Sequence, residues 1–112
     1  MSNNAILGQI LTNATRLQNA FNEDFNDDLP IISLVGHVNQ HLNQLKALYQ
    51  ELRNPEMKRT LEKHLRDNLW TINLVGERII ADPNVPEEEY SETVNEVLNE
   101  IIEYVRDPRV PI

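Results

Sequence analysis

Apolar residues recur three and four positions apart along most of the chain, with polar residues between them. This spacing places the apolar side chains on one face of a helix. The first such segment covers about 4–21, and the acidic, amide-rich stretch 22–28 predicts its end. The apolar positions of this segment are Ile6, Ile10, Leu11, Ala14, Leu17 and Phe21.

Three further segments show the same periodicity, and prolines separate them. The second predicted helix covers about 31–53. The third begins at Asn54-Pro55, because Asn caps free backbone amides and Pro fits the first turn of a helix. It ends before the proline-rich break at 82–86. The last helix runs from about residue 87 until prolines stop it at 107–108.

The third predicted helix becomes more apolar towards its end. We therefore expect its second half to be buried on more than one side. Its apolar residues are Met57, Leu61, Leu65, Leu69, Trp70, Ile72, Leu74, Val75, Ile79 and Ile80.

Composition favours one all-α domain over residues 1–112. The chain has only three glycines, too few for many tight hairpin turns. Four helices with short connections predict an antiparallel bundle of four main helices, whose sites are built from side chains of facing helices. A domain this small buries a modest core alone, so we expect a homodimer or a larger oligomer.

Charge and residue usage exclude several classes of function. Eighteen Asp and Glu against ten Lys and Arg give a net charge of −8, which disfavours binding to duplex nucleic acid or anionic membranes. The absence of Cys excludes disulfides and thiolate zinc sites. No apolar run reaches the roughly 20 residues that span a bilayer. These features predict a soluble, cytoplasmic protein.

Two pairs of polar residues lie inside the second and third predicted helices. His37 and Gln40 are three positions apart, as are His64 and Asp67, so each pair occupies one helix face. If the helices form a hairpin about Asn54-Pro55, the two pairs lie at similar heights and can face each other.

Around these pairs, the region 29–106 resembles the MazG-type all-α nucleoside triphosphate pyrophosphohydrolases. Their pattern is Gly-Glu-x-Gly-Glu-Leu with a downstream Lys, followed by Glu-Glu-Leu-Gly-Asp-x-Leu-Trp on the next helix. The residues that match the family's motifs are Leu34, Val35, Gly36, Lys46, Leu65, Asp67, Leu69, Trp70, Asn99 and Arg106. The resemblance implies a MazG-like protomer that forms dimers or dimers of dimers. It also implies paired acids that hold Mg²⁺ against a triphosphate.

The chain departs from the family at the residues that perform catalysis. The four acidic positions read His37, Gln40, His64 and Asp67, and the family's phosphate-facing Lys is Ile102. Mg²⁺ requires oxygen ligands, whereas imidazole suits zinc, nickel or copper. We therefore expect no cofactor and a protein that binds a nucleotide or nucleotide signal without hydrolysing it, or that serves as an interaction module.

Two alternatives retain a metal ion. The first is an active pyrophosphohydrolase that uses Mg²⁺ or Mn²⁺ with altered ligands. The second is a transition-metal site made by His37, His64 and Asp67, with Gln40 or His41 nearby. In the competing interpretation the histidines are polar fillers of a retired site, or His37 and His41 pair on an exposed face.

Further residues are candidates for contact with a nucleotide. Lys46, Arg66 and Arg106 are candidates for phosphate, because a guanidinium contacts phosphate directly. Trp70 can stack on a base, although its spacing with neighbouring apolar residues favours the core. Asn99 completes the set because it matches the family's pattern.

The last predicted helix is strongly acidic. A solvated helix face explains this pattern most simply. The alternative is an acidic inhibitor or signal-sequestering protein, whose surface imitates nucleic acid and blocks a basic partner. The acids are Glu87, Glu88, Glu89, Glu92, Glu96, Glu100, Glu103 and Asp107.

Overall fold

The computed structural model describes residues 2–106, including every side chain in that range except those of Leu65, Asn68 and Leu69. This part of the chain is helical and contains no strand, which confirms the all-α prediction. Its helices are α1 (Asn3–Asn26), α2 (Ile31–Tyr49), α3 (Pro55–Ala81) and α4 (Glu88–Arg106). The roles expected for the Leu65 and Leu69 side chains lie outside the described residues, as does the predicted stop at 107–108.

Side-chain caps fix the starts of two helices. At α1, Ser2 Oγ accepts a hydrogen bond from the backbone N–H of Ala5 at 3.2 Å. At α3, Asn54 Oδ1 accepts from the backbone N–H groups of Glu56 and Met57 at 3.1 and 3.2 Å. These bonds satisfy amides that have no partner within the helix. The predicted start of α3 is therefore confirmed.

The first helix is longer than predicted, because it continues through the acidic stretch to Asn26. Phe25 lies one turn after Phe21, and the two rings stack with centroids 6.0 Å apart. Phe25 also packs against the core. This apolar pair extends the buried face by one turn, which outweighs the low helix propensity of the surrounding acids and amides.

The end of α1 is a Schellman motif formed without glycine. The N–H of Leu29 donates to the Asp24 carbonyl at 3.3 Å, and the N–H of Asp28 donates to the Phe25 carbonyl at 3.2 Å. Asp28 has a φ of 57°, the left-handed conformation that usually selects glycine at this position. The motif satisfies free carbonyl groups at the helix end.

The second helix is shorter than predicted, because it ends at Tyr49 rather than near residue 53. The N–H groups of Glu51 and Leu52 donate to carbonyls three residues earlier, each at 3.1 Å. This tighter turn brings Leu52 into the core, where it is buried. Leu52 therefore continues the apolar spacing of α2, although it lies after the end of that helix.

The four described helices pack in a ring, in which α1 and α3 each contact both α2 and α4. Two side-chain pairs lie where consecutive helices meet: His37 Nδ1 is 3.9 Å from Asp24 Oδ2, and Arg78 Nη1 is 3.0 Å from Glu89 Oε1. Buried apolar residues from all four helices form one cluster inside the ring. None of the described helices has a stretch apolar enough to cross a membrane.

The expectation that the second half of α3 is buried on several sides is wrong for three residues. Trp70, Leu74 and Ile80 are 67%, 50% and 44% exposed. The buried stripe of α3 instead includes Ile72 and Ile79. Because α3 contacts only α2 and α4 within the described structure, residues on its outer side stay in solvent.

Gly76 and Tyr90 are closely packed where α2, α3 and α4 meet. A Cβ atom at Gly76 would lie 3.2 Å from Val35 Cγ2 and 3.3 Å from Tyr90 Cε1, so glycine lets three helices approach. The Tyr90 ring also meets Phe21 edge to face, with centroids 5.7 Å apart. Its hydroxyl is buried without a hydrogen-bond partner in the described structure, and burial raises the pKa of Tyr90.

Candidate functional site

A groove of about 530 Å³ lies between α2 and α3. Its lining residues recur at helical spacing on both helices, so each helix contributes one face. They are Asn39, Asn43, Lys46 and Tyr49 from α2, and Glu62, Arg66, Trp70 and Asn73 from α3. We call this cavity the α2–α3 groove. Its volume lies within the range of small-molecule binding sites.

The α2–α3 groove is lined by two basic side chains and one carboxylate. Among the described residues, Lys46 has no carboxylate within ion-pair distance. Arg66 Nε lies 3.9 Å from Asp67 Oδ1, and the Arg66 side chain is 73% exposed. Such an exposed contact holds a side chain weakly. Both cations are therefore available to an anionic ligand, and Glu62 leaves the lining with an excess of one positive charge.

Trp70 lies on the wall of this groove rather than in the core, which corrects the sequence-based preference. The stripe that α3 buries passes through Leu61 and Ile72. Trp70 is two residues from Ile72, or about 200° around a helix with 3.6 residues per turn. Its indole is consequently exposed beside Lys46 and Arg66, where a planar ring can stack on it.

His37 contacts α1 rather than the groove. Its Nδ1 atom lies 3.9 Å from Asp24 Oδ2, and its side chain is 60% exposed. His37 and His41 line the same crevice, of about 40 Å³, between α1 and α2. This placement agrees with the interpretation that the two histidines share an exposed face. Gln40 is also exposed.

His64 contacts the opposite neighbour, α4. Its Nδ1 atom lies 4.0 Å from Glu100 Oε2, and its ring centroid is 5.8 Å from that of Tyr104. His64 and Asp67 line a second cavity, of about 460 Å³, on this side of α3. We call it the outer α3 cavity. Its other lining residues are Arg59, Thr60 and Lys63.

The expected meeting of His37 with His64 and Asp67 is therefore absent from the described structure. Here no group of three His, Asp or Glu side chains is arranged to hold a metal ion. The four positions where the MazG resemblance places acids provide one carboxylate, that of Asp67. Because Mg²⁺ requires several oxygen ligands, these residues do not fit the magnesium site that the resemblance implies.

Asn99 and Arg106 lie apart from the α2–α3 groove. Asn99 Oδ1 accepts a hydrogen bond from Gln18 Nε2 at 2.8 Å. Gln18 Nε2 also donates to Asn95 Oδ1 at 3.3 Å, and the amides of Asn22 and Asn95 exchange hydrogen bonds of 3.1 and 2.9 Å. We call this set the amide ladder. It joins α1 to α4, while Arg106 is exposed in the last turn of α4.

The sequence-based prediction missed the amide side chains of the groove. Asn39 and Asn43 are one turn apart and share a face with Lys46. This spacing is visible in the sequence, but an amide row on a helix is equally typical of a solvated face. Asn73 completes the set from α3. The three amides offer both donors and acceptors to a ligand.

Comparisons of the chain with protein-family models, with curated protein sequences and with solved structures find no match.

Proposed function

We propose that this protein binds a nucleotide in the α2–α3 groove and does not hydrolyse it. One observation carries the proposal: Lys46, Arg66 and Trp70 line the same groove. Two cations and an exposed aromatic ring are complementary to the phosphates and the planar base of a nucleotide.

Each wall of the groove has a separate role in this proposal. The Trp70 indole stacks on the base, an interaction worth about 1–3 kcal/mol for bases on aromatic side chains. Arg66 contacts phosphate with two parallel N–H donors, and Lys46 acts as a point charge. Asn39, Asn43 and Asn73 are placed to form hydrogen bonds to base edges or ribose hydroxyls.

Binding without hydrolysis follows from the charges near the groove. The MazG resemblance implies several carboxylates that hold Mg²⁺ against a triphosphate, and Asp67 is the one carboxylate left at those positions. In the α2–α3 groove, Lys46 and Arg66 contact the phosphates directly, so that binding needs no metal ion. We also propose, on the same resemblance, that the ring of helices is an antiparallel MazG-like bundle and that the protein forms a homodimer or a dimer of dimers.

Fluorescence titration tests this proposal, because Trp70 is the single tryptophan of the chain. Nucleoside mono-, di- and triphosphates and cyclic nucleotides are added in the presence of EDTA. We expect saturable quenching for at least one nucleotide. Lys46→Gln and Arg66→Gln each weaken binding by about 10- to 100-fold, since a lost charge-assisted hydrogen bond costs about 1.5–3 kcal/mol.

Arg16→Gln is the matched control, because Arg16 is exposed on α1 and lies outside the groove. It removes the same charge and leaves nucleotide affinity unchanged. Absence of quenching by every nucleotide, together with absence of heat in calorimetry, refutes the proposal. Equal losses in Arg16→Gln and Arg66→Gln also refute it, because they indicate non-specific attraction.

Hydrolysis is tested separately by measuring pyrophosphate release from nucleoside triphosphates with Mg²⁺ or Mn²⁺. We expect none above the rate without protein. Turnover that is lost in Asp67→Asn would replace the proposal with an active pyrophosphohydrolase that has altered ligands.

A further inference from the structure

The outer α3 cavity adjoins the α2–α3 groove across a single helix. Glu62 and Arg66 line the groove, and the next residues along the chain, Lys63 and Asp67, line the cavity. Successive residues of a helix differ by about 100° in direction. The two spaces, of about 530 and 460 Å³, are therefore separated by the exposed ridge of α3.

The α2–α3 groove and the outer α3 cavity have the same excess of positive charge. Each is lined by two Lys or Arg side chains and one carboxylate, whereas the whole chain has a net charge of −8. Six of the ten Lys and Arg residues lie between positions 46 and 66, against three acids in that segment. These six are Lys46, Arg53, Lys58, Arg59, Lys63 and Arg66. The positive charge of this acidic protein is thus concentrated around α3.

A row of side chains connects the two spaces along α3. Arg59, Lys63, Arg66 and Trp70 follow one another at spacings of four, three and four residues, so they are neighbours on the helix surface. The row is about 16 Å long at 1.5 Å per residue. Each member is exposed, and within the described structure neither Arg59 nor Lys63 has a carboxylate within ion-pair distance.

We infer that the ligand is a short single-stranded oligonucleotide of two or three nucleotides. This inference rests on the proposed function, since the first base occupies the α2–α3 groove beside Trp70. Arg66 contacts the first phosphate, and the strand then crosses the ridge of α3. Lys63 and Arg59 contact the next phosphate in the outer α3 cavity. A mononucleotide leaves these two cations unused.

The length limit follows from the acidic remainder of the protein. Glu100 and Glu103 are exposed on α4, and Glu100 lies beside His64 at the border of the outer α3 cavity. A longer strand would extend past Arg59, the last cation of the row, and the repulsion between further phosphates and a protein with a net charge of −8 offsets any additional contact. Affinity therefore stops increasing after the third nucleotide.

The experiment compares mono-, di-, tri- and hexanucleotides of one base, with Trp70 fluorescence as the readout and EDTA present. We expect the dinucleotide to bind at least tenfold tighter than the mononucleotide, with no more than a twofold gain from the tri- to the hexanucleotide. Arg59→Gln and Lys63→Gln weaken dinucleotide binding about tenfold and leave mononucleotide binding unchanged. Lys58→Gln, on the same helix but outside both spaces, is the matched control.

The outcomes separate this inference from the proposed function. If a mononucleotide binds and the dinucleotide binds no tighter, the oligonucleotide inference fails and the proposed function stands. If no nucleotide of any length binds, both fail. Inorganic tripolyphosphate supplies the charge without bases. If tripolyphosphate binds as tightly as the dinucleotide, and Lys63→Gln weakens the binding of both equally, the oligonucleotide inference is refuted.

Discussion

The Tyr90 hydroxyl allows the packing of the core to be tested with the removal of one atom. It is fully buried and lacks a hydrogen-bond partner in the described structure, a condition that costs about 1–3 kcal/mol. Tyr90→Phe removes this cost and keeps the edge-to-face contact with Phe21. We therefore expect the free energy of unfolding to rise by about 1 kcal/mol at pH 8, or about 4 °C in Tm.

Alkaline pH makes the same prediction more specific. Burial raises the pKa of Tyr90 in the folded state above its usual value of about 10. The contribution of this pKa difference to the free energy of unfolding is complete well below pH 10. It is lost as the pH rises through 10, because the Tyr90 hydroxyl releases its proton in the unfolded chain first. By pH 11 the wild type loses about 1 kcal/mol that Tyr90→Phe does not lose. The advantage of the variant thus increases to about 2 kcal/mol.

Urea unfolding followed by circular dichroism at pH 8 and pH 11 measures both quantities. The difference between the two proteins is used at each pH, which cancels the titration of groups that they share. Tyr104→Phe is the control at pH 8, because Tyr104 is only partly buried and its hydroxyl is not among the buried groups that lack a hydrogen-bond partner, so no comparable gain in stability is expected. A Tyr90→Phe variant less stable than wild type at pH 8, or a difference that does not change with pH, would refute the reasoning.

Three further predictions concern the backbone and the caps, and each is measured by thermal and urea unfolding. Gly36→Ala is expected to stabilise the protein by about 1 kcal/mol, because a Cβ atom there meets nothing within 4 Å. Gly76→Ala shows no such gain, because its Cβ atom would press on Val35 and on the adjacent tyrosine ring; equal gains at both glycines would contradict the packing. Asp28→Gly stabilises by about 1 kcal/mol, since the φ of 57° disfavours a residue with a Cβ atom, and a loss of stability would count against the left-handed turn. Asn54→Ala destabilises by about 1 kcal/mol through loss of the α3 cap, and an unchanged Tm would show that water replaces it.

The helices could be predicted from the sequence more reliably than their ends. Apolar spacing of three and four identified all four described helices, because each buries one stripe in a common core. The charge of the stretch 22–28 predicts an end of α1 near residue 21, whereas the helix continues to Asn26. Phe25, one turn after Phe21, was the signal that the helix continues. The end of α2 was missed because Leu52 keeps the apolar spacing although the backbone has already left the helix.

The candidate site was predicted in its parts but not in its arrangement. Lys46, Arg66 and Trp70 were all identified, yet the sequence placed Trp70 in the core because periodicity cannot distinguish two apolar faces of one helix. The expected cluster of His37 and His64 assumed that both faced the space between α2 and α3. In the structure each helix is rotated about its own axis, so that the two histidines face different neighbouring helices. This rotation depends on which apolar stripe packs best in the core, which is a property of all four helices together.

The amide ladder between α1 and α4 has a consequence for the kinetics of unfolding. Its hydrogen bonds join residues 73 to 81 positions apart, and they lie between α1 and α4, the one pair of contacting described helices that are not neighbours along the chain. Contacts between distant segments require the closure of a long loop, which delays them during folding. Interactions formed after the transition state chiefly slow unfolding. The hydrogen bonds of the amide ladder are therefore expected to slow the unfolding of the protein more than they speed its folding.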